Sequence, residues 1–290
     1  MKPLVEEIKN WGKNQSPRPI RSALLFIPVL VLAGVLIVGS TILLLQLFDF
    51  MPKQSTFSWK TLIGSTILFG ALIVTTFVSA NTWAKWLGLQ GLEFIGLSNH
   101  YHKFLIGILW GIGLQLFIFA VLIASGWLQV VSGNFESQSV INVLIITVSS
   151  LNAGVVEEIV YRGVIYSSLR RKWNWTATAI ITATLFALPH FILSSYDFPI
   201  IAGLGLFVGG FLFAWAREVT QTLWIPIGIH FAWDTSIGWF NLTASKSPHV
   251  LVTSINAPNW VVGEWAMSDW LLLLAFALTI WLVSLRQKTG

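Results

Sequence analysis

The 290-residue chain has no cysteine, and Lys, Arg, Asp and Glu together make up only 10% of it. Without cysteine there are no disulfides, no thiolate metal sites and no cysteine nucleophile, although the compartment is not decided by this. So little charge excludes an ordinary soluble domain, in which charged residues approach a quarter of the chain. What fills the space is apolar: 55% of the residues are hydrophobic and 16 are Trp.

Runs long enough to cross ~30 Å of hydrocarbon as helices lie at Ser22–Phe48, Leu62–Ala80, Phe104–Val131, Val140–Leu169, Thr176–Leu193, Pro199–Ala216, Leu223–Thr243 and Ala266–Leu285. The expected fold is all-α, a polytopic membrane helix bundle of about eight transmembrane helices. Residues 1–21 form a basic N-terminal segment and residues 22–290 a single integral membrane domain, because the connecting loops are short. The net charge of +5 does not point to nucleic acid, since the basic residues sit mostly at span ends. With the N-terminus in the cytoplasm, thirteen of the 17 Lys and Arg fall on the inner side and only Lys53, Lys60 and Lys246 outside. The positive-inside rule therefore expects both termini in the cytoplasm. Several tryptophans near span ends, Trp83 and Trp86 among them, read as an interfacial belt. The glycines of Gly203–Gly210 read as close packing of the sixth span. The late loop with His249 reads as extracytoplasmic surface.

Six ionisable residues lie inside the apolar runs: Glu157, Glu158 and Arg162 in the fourth, His190 in the fifth, and His230 and Asp234 in the seventh. A charged side chain at mid-membrane costs ~2.5–3.5 kcal/mol on insertion scales, so such residues mark function by default. Helical spacing separates their tasks. Glu158 and Arg162 are four apart and can pair on one face, while Glu157 lies ~100° around the helix and is left for chemistry. One ion network among all three is the alternative. Phe186 shares a face with His190, and His230 with Asp234. Pro189 and Pro226 lie close to the two histidines, and local loosening there would suit a wet cavity. Measured inward at ~1.5 Å per residue, Glu157, His190 and Asp234 fall ~17–21 Å from the inner ends of their spans, and His230 ~10 Å.

"EEIVYR", "FALPH" and "HFAWD" follow in order, each within its own span, and this arrangement resembles the CPBP (CAAX protease and bacteriocin-processing, Abi) intramembrane proteases, which include the Rce1-like CAAX prenyl endopeptidases. The resemblance places the protease core at about residues 140–245. It implies a hydrolase, an intramembrane endopeptidase, in which Glu157 and His190 activate water and His230 and Asp234 stabilise the oxyanion. Glu158, Arg162 and Phe186 would be structural support. The position of Asp234 takes Asn or Asp in the family, and an ionised Asp would repel an oxyanion, so it must be neutral there or orient His230. The family is often described as metalloproteases; a zinc site would use Glu157, His190 and His230. The expectation is no cofactor, since the chain lacks the i, i+4 histidine pair of HExxH.

The implied partners are the lipid bilayer and a peptide or protein substrate, such as a lipidated protein or a leader peptide. The implied location is a bacterial plasma membrane. A proton-coupled transporter would also place Glu, His, Asp and Arg at mid-membrane, but no internal repeat is visible. A noncatalytic membrane scaffold of the same family is the other alternative.

Overall fold

Inside hydrocarbon every backbone N–H and C=O must be bonded within the chain, so the apolar runs can only become helices. A computed structural model describes residues 19–52, 58–193, 200–239, 251–258 and 267–289. It holds eight helices: α1 (Ile20–Leu47), α2 (Trp59–Trp86), α3 (His102–Ala124), α4 (Ser137–Arg170), α5 (Trp175–Leu193), α6 (Ile200–Thr220), α7 (Trp224–Trp239) and α8 (Met267–Thr289). Among the described residues, α1 to α4, α6 and α8 are each long and apolar enough to cross a membrane. The remaining two, α5 and α7, carry His190 and His230. The fold is the all-α multi-pass bundle expected. The basic segment before Pro19, the end of the seventh run beyond Trp239 and the His249 loop lie outside the described residues.

Two features differ from expectation. The third run does not stay helical to Val131: α3 stops at Ala124, Gly126 turns the chain at φ +74°, and Leu128–Gly133 forms strand β1. Its partner is β2 (Leu251–Ile255), within the late loop, antiparallel with a register shift between Val130 and Ser132. Trp83 is not in an interfacial belt. It is fully buried, and its indole N–H donates to the Ser22 carbonyl at 2.7 Å, tying α2 to the start of α1.

α7 is the centre of the bundle. Its Ile225 and Ile229 belong to an apolar cluster with α3, α6, α8 and Leu128 of β1, while Leu223 and Ile227 belong to a second cluster with α1, α2 and α4. Lipid tails are as apolar as leucine, so close backbone approach has to supply what the hydrophobic effect supplies in water. Small residues allow it. A Cβ on Gly228 of α7 would lie 2.8 Å from Ile108 N and 2.9 Å from Gly107 Cα of α3, and one on Gly154 of α4 would lie 3.1 Å from Phe231 N. α3 and α7 run parallel at this seam, and α4 runs antiparallel to α7, which brings the polar stretches of α4 and α7 to one level.

α4 is the longest helix, 34 residues, about 50 Å at 1.5 Å per residue. Its middle departs from α geometry. Glu158–Ile165 is π-helical, between α-helical Ser137–Glu157 and Tyr166–Arg170. A second π-helical stretch, Gly34–Val38, interrupts α1.

Candidate active site

The π-helical stretch begins at Glu158, so the two adjacent glutamates meet different surroundings. Glu158 and Arg162 have no exposed side-chain surface, and Arg162 Nη1 donates to Glu158 Oε1 at 2.8 Å. The pairing expected from i, i+4 spacing is present. Arg162 Nη2 donates to the Gly210 carbonyl at 3.1 Å, and the guanidinium carbon lies 4.4 Å from the Phe186 ring centroid and 5.4 Å from that of Phe213. The cation is thus held by one carboxylate, one carbonyl and two aromatic faces, each reducing the cost of burying it. A Cβ on Gly210 would lie 3.2 Å from both Arg162 Nη2 and Phe186 Cδ1. The glycine-rich sixth span therefore packs closely as expected, with Arg162 and Phe186 against its Gly210.

Glu158 also has a second partner that spacing within one helix could not show. His230 Nδ1 lies 3.0 Å from Glu158 Oε1, and since a carboxylate only accepts, Nδ1–H donates. Phe213 stacks on the His230 ring at 5.1 Å. The imidazole is therefore fixed on one edge and one face, and only 8% of the side chain is exposed. Nε2 points the other way, 3.8 Å from Glu157 Oε2 and 3.5 Å from Asp234 Oδ2.

Glu157 is open where Glu158 is sealed, with 27% of its side chain exposed. Its other oxygen, Oε1, lies 4.0 Å from His190 Nε2. His190 is anchored like His230: its Nδ1 donates to the Phe186 carbonyl at 2.8 Å and its ring lies 5.0 Å from that of Phe186. In both imidazoles the Nδ1 edge is committed, so the Nε2 edge carries whatever chemistry occurs. Pro189 lies inside α5 beside His190, as the sequence suggested. Pro226 does not loosen α7, because it sits in the first turn, where the N–H has no helical partner to lose. The irregular backbone is in α4 instead.

Glu157, His190, His230 and Asp234 thus converge from three helices, with Phe186 between Arg162 and His190. Spacing did not reveal Phe213, which touches both His230 and Arg162; its only signal is its place three residues after Gly210. Among the described residues, no set of three or more His, Cys, Asp or Glu is arranged to hold a metal ion. Zinc bonds of ~2.0–2.1 Å at tetrahedral angles put donor atoms roughly 3.3 Å apart. Here Glu157 offers a different oxygen to each histidine, at 4.0 and 3.8 Å, so the set does not close on one ion as placed.

The profile of the family described as "Type II CAAX prenyl endopeptidase Rce1-like" matches residues 138–236. The chain is 29% identical over 185 residues to "Putative membrane peptidase YdiL" of Bacillus subtilis (strain 168), covering 60% of this chain and 69% of that protein. No solved structure is significantly similar. Residues 138–236, the stretch that brings together Glu157, His190, His230 and Asp234, are thus similar to the Rce1-like family.

Proposed function

We propose that this multi-pass membrane protein is an intramembrane endopeptidase that hydrolyses a peptide bond of a membrane-associated protein or peptide. The observation that carries the reading is the placing of Glu157 opposite His190 Nε2 at 4.0 Å. A single water with hydrogen bonds of ~2.8 Å spans that gap with about 90° between its two acceptors, close to its own bond angle. Because His190 donates from Nδ1, its neutral ring accepts at Nε2; the Glu157 carboxylate accepts as well. Both hydrogens of the water are then engaged and its lone pair is free to attack a carbonyl carbon.

In the reaction, the water O–H bond breaks, the proton passes to Glu157, and the oxygen bonds to the carbonyl carbon. The C=O pair moves to the carbonyl oxygen, where His230 donates from Nε2 as the imidazolium, its Nδ1–H being held by Glu158. Asp234, four residues on, orients that edge of His230. Collapse of the intermediate breaks the C–N bond, and the leaving nitrogen takes back the proton held by Glu157. Glu158 takes no part in proton transfer; it holds His230 and Arg162. No metal or other cofactor enters this scheme.

The Rce1-like match favours a substrate with a lipidated C-terminal segment, and the relative from B. subtilis favours a bacterial plasma membrane. The distribution of Lys and Arg favours cytoplasmic termini. Comparing protein N- and C-termini in cells carrying the parent chain or Glu157→Gln tests the reading. A set of termini present only with the parent supports it, and identical termini in both overturn it.

A further inference from the structure

One side chain beside Glu157 has a polar atom that this scheme leaves unused. Tyr161 follows Glu157 by four residues, on the same side of α4, within the π-helical stretch. Its ring meets Phe186 edge-on at 5.3 Å and 89°, and lies 6.0 Å from the Arg162 guanidinium carbon. Phe186 in turn touches His190 and, at 6.4 Å, His230. A phenylalanine would make every one of the ring contacts, so the hydroxyl is what remains to be explained.

Among the described residues the Tyr161 hydroxyl takes no hydrogen bond, and it is not sealed from the surface. The other tyrosine of α4 behaves differently: Tyr166 O–H donates to Glu218 Oε2 at 2.7 Å. Within a bilayer an unpaired phenol is costly, and a hydroxyl left open four residues from the partly exposed Glu157 is available to a ligand.

The reaction has a need that such a donor meets. An oxyanion approaching His230 Nε2 finds Glu157 Oε2 at 3.8 Å and Asp234 Oδ2 at 3.5 Å from that nitrogen. Glu157 loses its charge by taking the proton from water, but Asp234 has no such relief in the same step. A neutral donor on the Phe186 side stabilises the oxyanion without adding a carboxylate. We infer that the Tyr161 hydroxyl donates a hydrogen bond to the oxyanion, making Tyr161 a further catalytic residue. The inference rests on the endopeptidase reading. The phenol keeps its proton throughout; only the hydrogen bond strengthens as the C=O pair moves to oxygen.

The test uses the parent, Glu157→Gln and Tyr161→Phe in lipid nanodiscs. The probe is an internally quenched peptide ending in a farnesylated CAAX sequence. Tyr161→Phe is expected to lose kcat by ~10²-fold while KM stays within about threefold, the pattern of a contact made only in the transition state. A second readout needs no turnover: tetranitromethane should nitrate Tyr161 but spare Tyr166 in Glu157→Gln, and a phosphinate analogue of the probe should protect Tyr161. Unchanged kcat, a loss confined to KM, or an unmodified Tyr161 would overturn the inference and leave the endopeptidase reading standing. A parent no faster than Glu157→Gln overturns both.

Discussion

Among the described residues two helices contain π-helical stretches, and they differ in nearly everything else. In α1 the stretch is Gly34–Val38, apolar throughout, with no buried side chain; Val35 and Leu36 are among the most exposed residues of the bundle, and Gly34 and Gly39 have open space around them. In α4 it is Glu158–Ile165, with Glu158, Ile159, Arg162, Gly163 and Val164 all buried. Both keep their backbone groups bonded, which is all the hydrocarbon demands. A π-helical stretch is often found at functional sites, but the first of these contains no polar side chain. What distinguishes the second is the side chains it turns inward and the glycine, aromatic and histidine partners that receive them.

Deleting one residue from each stretch separates the two most sharply. Removing Val160 lets the stretch close to α geometry, which keeps the register beyond it but makes Glu158 and Arg162 i, i+3 neighbours, turning Arg162 by ~100° relative to Glu158 and away from Gly210 and Phe186. The expected outcome is no folded protein in a fluorescence-detected size-exclusion assay. Removing Leu36 from α1 should leave a folded protein with measurable cleavage, since its side chains face lipid. Equal loss in the two deletions would erase the distinction between the stretches.

The two adjacent glutamates carry the comparison to single side chains. On the endopeptidase reading, in which its carboxylate is the base, Glu157→Gln should abolish cleavage, with thermal stability unchanged because its surroundings are partly open. Glu158→Gln leaves a buried guanidinium without its counter-charge, a cost of about 3 kcal/mol, and loosens His230. It should lower the melting temperature in detergent and reduce cleavage only in part. Cleavage by Glu157→Gln at the parent rate would reverse the assignment of the two residues.

Asp234 is expected to show a smaller and more selective effect. Asn keeps the shape and can still hold the Nε2 edge of His230, so Asp234→Asn should stay within about tenfold of the parent. Asp234→Ala removes the contact and should lose ~10²-fold, the scale of a lost oxyanion-site interaction. If Asn is as inactive as Ala in a folded protein, the charge of Asp234 is itself required.

The parts legible in the sequence are those that one helix fixes by its own repeat. Glu158 with Arg162, Phe186 with His190 and His230 with Asp234 are each four residues apart, and each pair is in contact. The eight apolar runs were legible because hydrocarbon allows little but helices. What was not legible depends on residues distant in the chain. Glu158 meets His230 across 72 positions, and β1 finds β2 more than a hundred residues later. The π-helical stretch in α4 has no residue signature, and Pro226 drew attention to a first turn where proline disturbs nothing. Trp83 looked interfacial because tryptophan at a span end usually is, yet the N-terminal turn of α1 covers it.

The smallest expected effect is that of removing metal. The π-helical stretch starts immediately after Glu157, whose two oxygens face two histidines whose Nδ1 edges are already engaged, a pattern that suits either a base or a ligand. The distances fit the base better. At 4.0 and 3.8 Å from different oxygens, the Nε2 atoms are spaced for a bridging water and too widely for the ~3.3 Å edges of a tetrahedral zinc site. Exhaustive dialysis against a strong chelator should therefore leave the cleavage rate unchanged, and the active protein should hold no stoichiometric zinc by elemental analysis. Loss of activity with the chelator and its return with zinc alone would mean that the two histidines close on Glu157 by several tenths of an ångström when an ion is bound. The carboxylate next to the π-helical stretch would then be a ligand, and the proton would have to be taken by another group, with Asp234 the nearest candidate.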